Sequence, residues 1–218
     1  MPKITEVIPQ KKNPKRFNIF LDGQFAFGAD EDLVVEHRLV PDKQLDTSDV
    51  EQLLFEAEVG KLMERVYRLF NIRQRSEKEI RDYLKNLSFK RKVKGQEEIS
   101  PFIINAAIEL MKKKGLIDDV SFAKAWVESR SKKRGPRLLK QELFQKGIDK
   151  EIIEDVINNR RTDYDGQRIA EQLLEKKMRV WRNLPKIEFR KKAYDFLLRR
   201  GFEYETIRAT IEKFLQKR

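Results

Sequence analysis

The amino-acid sequence predicts a mainly α-helical protein of three tandem three-helix repeats, preceded by a small N-terminal β-hairpin or β-sheet module. After about residue 47, apolar residues recur at helical spacing between short turn signals. The interval from Leu143 to Gly147 equals that from Leu197 to Gly201, and Leu84 lies 59 residues before Leu143. A divergent repeat of this length is typical of stacked three-helix units.

The N-terminal module, residues 1–46, is predicted to be β-rich. Residues alternate in polarity over 3–8 and are rich in phenylalanine and isoleucine over 16–21, which is typical of strands. Asp22 and Gly23 favour a type I′ hairpin, so we expect a third strand to follow directly. Because an isolated hairpin is not stable in water, the module should pack against the helix that follows it.

The first repeat is predicted to span residues 47–117 and to begin with a long helix, after a short helix over about 31–37. Ser48 and Glu51 match the pattern of a capping box, in which each side chain binds a free backbone N–H of the first turn. The basic run over 88–100 is expected to be an exposed loop. It is interpreted either as an arm that contacts phosphates or as a solvated polar loop.

The second and third repeats are predicted to span residues 118–161 and 162–218, with a linker over 158–166. Asp119 precedes an apolar run and is expected to be the N-cap of the first helix in the second repeat. Gly147 lies where a helix C-terminus needs a left-handed residue.

A second pair of matching positions begins the middle helix of each repeat. Ser76 and Glu79 form a capping box in the first repeat, where the second repeat has Gly135 followed by Pro136. Different residues are thus expected to begin equivalent helices.

Several of these segments resemble the RecX regulatory protein family. The runs GLIDDVSFAKAWVESRSKKRG and LKQELFQKGI resemble the middle repeat of that family, RQRSEKEIRDYL its first repeat and FLLRRGFEYETI its last. The resemblance covers roughly residues 59–218, and the preceding residues resemble the N-terminal extension of longer members. It implies an elongated, curved array of repeats that lies in the groove of a RecA filament and inhibits ATP hydrolysis, strand exchange and co-protease function.

The charge is distributed unevenly along the chain. The net charge is +12, yet residues 1–58 hold seven lysines and arginines against twelve acidic residues, so the remainder carries +17. This excess indicates a binding region for anions, either DNA or an acidic protein surface. Cysteine is absent, and no stretch has the apolar length of a membrane span, so we expect a cytoplasmic protein without disulfides.

Residue types required for catalysis are scarce, so we expect a protein that is not an enzyme and has no cofactor. A phosphate-binding loop needs a lysine that the segment after Gly23 lacks. His37, the only histidine, is interpreted as a surface helix residue, and without cysteine the usual zinc sites cannot form. Asp118 and Asp119 resemble a metal pair, but helix capping explains them.

Basic residues recur at the helix junctions of all three repeats, beside helix N-termini that add partial positive charge. We predict that the residues that contact RecA or DNA are Arg73, Arg75, Arg81, Arg130, Lys132, Lys133, Arg134, Arg137, Lys140, Arg190 and Lys191. The alternative is that these are solvated helix faces. Trp126, Trp181 and Phe196 are interpreted as core residues, with base stacking as the alternative.

Two binding functions remain open. In the first, the protein is a monomer that binds the RecA filament, with weak electrostatic contacts to single- and double-stranded DNA. In the second, it is a direct nucleic-acid-binding regulator that does not act through RecA. No helix shows an obvious set of base-reading side chains, which weighs against the second.

Overall fold

The computed structural model describes residues 1–158 and 166–216. Within this part of the chain, three strands are followed by ten helices, so the prediction of a mainly helical protein with an N-terminal sheet is confirmed. The chain forms two compact units. The first comprises Met1–Arg75 and Ile80–Ile117, and the second comprises Ser76–Glu79 and the chain from Asp118 onward.

The first unit begins with an antiparallel sheet in the order β1-β2-β3. Its strands are β1 (Ile4–Gln10), β2 (Asn13–Leu21) and β3 (Gln24–Asp30). Asp22 and Gly23 connect β2 to β3 with φ of 47° and 81°, the left-handed conformations that a type I′ turn needs. The predicted strands and hairpin are therefore confirmed.

Helices α1 (Glu31–Glu36) and α2 (Thr47–Phe70) follow the sheet. The predicted cap of α2 is wrong by two residues, because Asp46 and Asp49, rather than Ser48 and Glu51, exchange the two capping hydrogen bonds. An aspartate satisfies the same free N–H groups as a serine. As expected, α2 packs on the sheet, and the shared core contains Ile4, Ile19, Phe27, Leu33, Leu39, Leu45 and Leu53.

Helices α3 (Glu77–Val93) and α4 (Pro101–Lys113) pack with α2 around a second core. The prediction that residues 88–100 form an exposed loop is wrong, since α3 continues through Val93. Ser88 is buried, and its hydroxyl accepts from the Ile99 amide (2.9 Å), which holds the end of the connecting segment against α3. The Ser100 side chain caps α4 by accepting from the Phe102 amide at 3.2 Å.

The second unit contains α5 (Asp119–Arg130), α6 (Pro136–Gln145) and α7 (Lys150–Asn158). The N-cap of α5 is Asp118, not Asp119 as predicted, and it accepts from the Ser121 amide at 3.0 Å. Hydrogen bonds from the Ser121 hydroxyl and amide lower the pKa of the Asp118 carboxyl. Gly147 ends α6 with φ of 78°, as predicted.

The same unit continues with α8 (Gly166–Trp181), α9 (Lys186–Arg199) and α10 (Tyr204–Gln216). Their core includes Ala170, Leu174, Phe189, Ala193, Leu197, Phe202, Ile207 and Ile211. Gly201 has φ of 80°, which matches Gly147 in the preceding group of helices. The predicted linker at 158–166 lies, apart from its two ends, outside the described residues.

Within the second unit, two hydrogen bonds join the residue before a helix to the turn that ends another helix. The Ser76 hydroxyl donates to the Lys146 carbonyl at 2.7 Å, and the Gly135 amide donates to the Arg200 carbonyl at 2.7 Å. Ser76 and Gly135 hold matching positions at helix starts, and Lys146 and Arg200 each precede a left-handed glycine. In both cases a helix start docks on a turn that ends at a left-handed glycine.

The turn glycines allow this close approach. A Cβ on Gly147 would lie 2.5 Å from the Cβ of Lys78, and one on Gly201 would overlap Leu138, with the Leu138 backbone nitrogen 2.5 Å away. Both glycines therefore have two tasks, because they adopt positive φ and also leave room for the docked helix start.

Candidate functional site

The junction between α5 and α6 contains a network around one carboxylate. Glu142, whose side chain is 11% exposed, accepts from the Trp126 indole N–H at 3.0 Å. The Arg134 guanidinium contacts the other carboxylate oxygen, and Arg130 lies 3.8 Å from the first. Glu142 therefore offsets the positive charges of Arg130 and Arg134, which the sequence analysis predicted to contact a partner.

Trp126 is packed within this network and is half-buried. The Arg130 guanidinium lies 3.9 Å from the ring centroid, the Lys146 ammonium lies 5.1 Å from it, and Phe122 stacks at 5.6 Å. Cation–π contacts of this kind contribute about 0.5–1 kcal/mol each at exposed sites. The interpretation of Trp126 as a core residue is confirmed.

The six predicted cations of this junction divide into two classes. Arg130 and Arg134 contact Glu142, and the Lys140 ammonium donates to Glu154 at 2.6 Å. The pKa of Arg134 is lowered by burial and by the neighbouring positive charges of Arg130 and Arg200. These three predicted residues stabilise the fold of the junction.

The other class consists of cations that the fold leaves accessible. The side chains of Lys132, Lys133 and Arg137 are exposed and make no ion pair among the described residues. They lie on the α5–α6 turn and the first turn of α6. All of these residues carry a positive charge. What distinguishes the two classes at this junction is the position of Glu142, which contacts Arg130 and Arg134.

The predicted residues of the first repeat lie in the first unit. Arg73 is exposed and donates to the Gln74 carbonyl at 2.8 Å, whereas Arg81 donates to Asn105 at 2.6 Å. Arg75 is half-buried, and its Nε is enclosed without a hydrogen-bond acceptor among the residues that the structure describes. These three arginines therefore differ in their accessibility to a partner.

In the third repeat, Arg190 and Lys191 lie on α9 beside a groove of about 490 Å³. Ile187 and Tyr204 line the groove and are 86% and 58% exposed, so they present apolar and aromatic surface there. Arg208 also lines it, and its hydrogen bond to Glu212 (3.0 Å) raises its pKa. This groove was not predicted from the sequence.

Trp181 and Phe196 pack against each other at 5.8 Å with nearly perpendicular rings, and Trp181 also contacts the buried Phe189. Both are half-buried, which supports their interpretation as core residues.

The described residues contain no group of three or more histidine, cysteine or acidic side chains arranged to hold a metal ion. His37 follows the end of α1, rather than lying on a helix as predicted, and its Nε2 is 2.7 Å from a Glu56 carboxylate oxygen. In that same part of the chain, none of the helices combines the length and the apolar character required to cross a bilayer.

Comparison with known proteins identifies three matching domains. Residues 2–46 match the regulatory protein RecX N-terminal domain, 118–157 match the RecX second three-helix domain and 163–211 match the RecX third three-helix domain. These three matches together cover the N-terminal sheet, α5–α7 and most of α8–α10.

Full-length relatives show the same similarity. The regulatory protein RecX of Bacillus subtilis (strain 168) is 34% identical over 215 residues, which cover 98% of this chain and 77% of the relative. The regulatory protein RecX of Listeria innocua is 30% identical over 213 residues, or 96% and 75% of the two chains.

Two solved structures share the fold. A crystal structure of regulatory protein RecX superposes with a TM-score of 0.75 over 97% of this chain and all of the other, at 24% identity. The crystal structure of RecX from Lactobacillus salivarius gives a TM-score of 0.60 over 71% and 95% of the two chains, also at 24% identity. The matched domains and the identity to full-length relatives together show that this chain belongs to the RecX regulatory protein family.

Proposed function

We propose that this protein binds the RecA nucleoprotein filament as a monomer in the cytoplasm and modulates its ATPase, recombinase and co-protease activities. This is the function that the family resemblance implies. Successive three-helix units support the proposal, because several weak contacts on one chain gain affinity from multivalency. The protein would act by binding and would need no cofactor.

The observation that carries the proposal is the set of accessible cations in the second unit. Lys132, Lys133 and Arg137 on one surface, and Arg190 and Lys191 on another, are exposed and make no ion pair among the described residues. Cations that have no internal partner are available to an acidic protein surface or to phosphates.

The groove beside Arg190 and Lys191 is the part of this surface best suited to a protein. Interface cores are enriched in aromatic residues and arginine, and Tyr204 and Ile187 supply apolar area that exposed cations border. We therefore propose that an acidic segment with an apolar side chain, on the RecA filament, occupies this groove.

Direct nucleic-acid binding without RecA remains the second candidate. The lysines at the α5–α6 turn favour it, because lysine contacts phosphates as a point charge without reading the base sequence. Such binding would weaken steeply with salt and would not require RecA.

The test compares two triple variants with the same change in net charge. One combines K132E, K133E and R137E, and the control combines K85E, K113E and K114E at exposed positions of the first unit. Binding is measured by co-sedimentation with RecA filaments assembled on single-stranded DNA with a slowly hydrolysed ATP analogue.

We expect the first variant to bind at least tenfold more weakly, a change of about 1.4 kcal/mol. The three lost ion pairs contribute up to about 1 kcal/mol each, and the three reversed charges also repel an acidic partner. The control should retain most of its affinity. Equal reductions in both variants would mean that net charge alone, and not this surface, determines binding. Variants of Arg130 or Arg134 are unsuitable here because they also disrupt the Glu142 network.

A further inference from the structure

The first unit contains a groove of about 600 Å³ between the sheet and α2. Five basic side chains line it: Lys12 from the turn between β1 and β2, Arg16 from β2, and Lys61, Arg65 and Arg68 from α2. The two carboxylates in its lining are Glu58 and Glu64. Residues 1–58 have a negative net charge, so the net charge of this segment does not reveal the local excess of positive charge at the groove.

Each of the two carboxylates contacts an arginine: Glu64 contacts Arg16, which lines the groove, and Glu58 contacts Arg91 of α3. Glu64 accepts from Arg16 Nη1 at 2.9 Å and from the Asn13 amide at 3.1 Å. Arg16 is 9% exposed, and its second nitrogen donates to a backbone carbonyl, so it is committed to the fold. Glu58 contacts Arg91 of α3 at 2.5 Å. The acidic side chains therefore offset Arg16 and Arg91 and leave the remaining cations in excess.

Those remaining cations face solvent. Lys12 and Arg65 are exposed and have no side-chain partner among the described residues. Lys61 forms a long ion pair with Glu58 (3.6 Å), and Arg68 forms one with Glu64 (3.7 Å), but the two cationic side chains are 47% and 75% exposed. Exposed ion pairs of this kind contribute little to stability, so they compete weakly with a phosphate. Four exposed cations thus border the two sides of one groove, two without an ion-pair partner among the described residues and two in long, exposed ion pairs.

The α2 cations also have a regular spacing. Lys61, Arg65 and Arg68 are separated by four and three residues, so they form one row along the helix with roughly 5–6 Å between neighbouring side-chain origins. A flexible polyanion with one charge per repeating unit is able to contact such a row at successive groups.

An exposed aromatic ring lies at the same groove. Phe25 at the start of β3 is 59% exposed, and Leu54 of α2 is 43% exposed. Phe20 contacts Phe25 in an edge-to-face arrangement with centroids 5.9 Å apart, which supports the ring from one side. A positively charged groove that contains an exposed aromatic platform is the arrangement that proteins use to bind single-stranded nucleic acid without sequence preference.

We propose that this groove binds the phosphate backbone of single-stranded nucleic acid. Lys12, Lys61, Arg65 and Arg68 contact successive phosphates, and Phe25 stacks against a base. An acidic peptide is the less suitable occupant, because the groove offers four dispersed cations and a flat ring rather than a deep apolar pocket. The proposed function includes contacts with DNA but does not assign them to residues of the N-terminal module, as this site does. Binding of single-stranded nucleic acid to the groove is tested without RecA.

The test uses the full-length chain and a fluorescently labelled oligo-dT, with binding followed by anisotropy over a series of salt concentrations. The triple variant K12Q/K61Q/R65Q is compared with K85Q/K113Q/K114Q, which removes the same charge from other exposed positions of the first unit. Neither variant touches Arg16 or Glu64. Circular dichroism verifies that both remain folded.

For single strands, the slope of log affinity against log salt falls by about 0.7 for each phosphate that the protein no longer neutralises, so the slope of the groove variant should be shallower by about 2. Its affinity at low salt should fall at least tenfold, whereas the control should change less than threefold. F25A should weaken binding about tenfold and leave the salt slope unchanged, because stacking releases no counterions.

An unchanged slope in the groove variant, or an equal change in the control, would overturn the proposal. So would a groove variant that still binds oligo-dT but no longer binds an oligo-glutamate peptide, which would assign the groove to an acidic protein. Because these measurements contain no RecA, failure to bind RecA filaments has no effect on their outcome.

Discussion

The G201A variant tests the docking of one three-helix group on the next. Gly201 has φ of 80°, and an added Cβ would overlap the Leu138 side chain, with the Leu138 backbone nitrogen 2.5 Å away. Gly115 provides a matched control, because it has φ of 70° and would meet no atom within 4 Å. The two variants share the conformational cost of alanine in the left-handed region, and only G201A adds a steric one.

The magnitudes follow from these two effects. A left-handed alanine costs about 1 kcal/mol, so G115A should destabilise the first unit by roughly that amount. Overpacking adds about 1–3 kcal/mol, so G201A should cost roughly 2–4 kcal/mol in the second unit. Leu138 lies in the first turn of α6, so relief of the overlap requires movement of the docked helix start.

Hydrogen exchange measures the docking at individual amides. The amides of Gly135 and Arg137 donate to the carbonyls of Arg200 and Gly201 at 2.7 and 3.2 Å, so their protection reports the docking directly. In G201A, we expect exchange of these two amides to be accelerated by at least tenfold, a factor that corresponds to about 1.4 kcal/mol. If G201A costs no more than G115A, and both amides remain protected, the docking does not have the energetic role assigned to it.

Three further predictions concern capping and the Glu142 network. E142Q should destabilise the second unit by about 2 kcal/mol in urea unfolding followed by tryptophan fluorescence, because it removes the charge of a carboxylate that is 11% exposed and contacts Arg130, Arg134 and the Trp126 indole. A change below about 0.5 kcal/mol would contradict this. D46A should destabilise the first unit by about 1 kcal/mol, whereas S48A should change its stability by less than about 0.5 kcal/mol. Equal effects of the two variants would contradict the assignment of Asp46 as the N-cap. The Asp118 carboxyl should titrate with a pKa below 3.8 in an NMR titration, because hydrogen bonds from Ser121 favour its charged form. Its stabilising effect should therefore be complete above the unfolded-state pKa and disappear as the pH falls through the lower folded-state pKa. A midpoint at or above 3.8 would contradict the hydrogen-bonded cap.

Local signals in the sequence identified elements more reliably than cap residues. The position of Gly147 after an apolar helix predicts a left-handed C-terminal residue, and the structure confirms it. Asp119 directly precedes an apolar run, and this position predicts an N-cap. In the fold, Asp118 fills that role, and Asp119 accepts from the Glu77 amide at 2.9 Å. Glu77 lies 42 residues earlier in the chain, so the choice between adjacent aspartates depends on a distant residue that periodicity does not report.

The binding residues were less predictable than the fold for a similar reason. A run of cations predicts positive charge, but the availability of each cation depends on where the carboxylates lie after folding. Glu142 offsets charge at the α5–α6 junction, whereas Lys132 and Lys133 on the turn have no such neighbour among the residues that the structure describes. Likewise, Lys12 joins cations of α2 only because the sheet packs on that helix. The distribution of net charge along the sequence therefore predicts which regions are basic, but it does not predict which basic residues are accessible to a partner.

The most direct test of action on the RecA filament is RecA's single-stranded-DNA-dependent ATP hydrolysis, with this protein titrated from well below to above one molecule per RecA. We predict inhibition at low ratios, when RecA already covers the DNA, and weaker inhibition by the K132E/K133E/R137E variant than by its charge-matched control. If inhibition begins only when the protein is in excess, and disappears when more DNA is added, the protein competes for DNA and does not act on the filament.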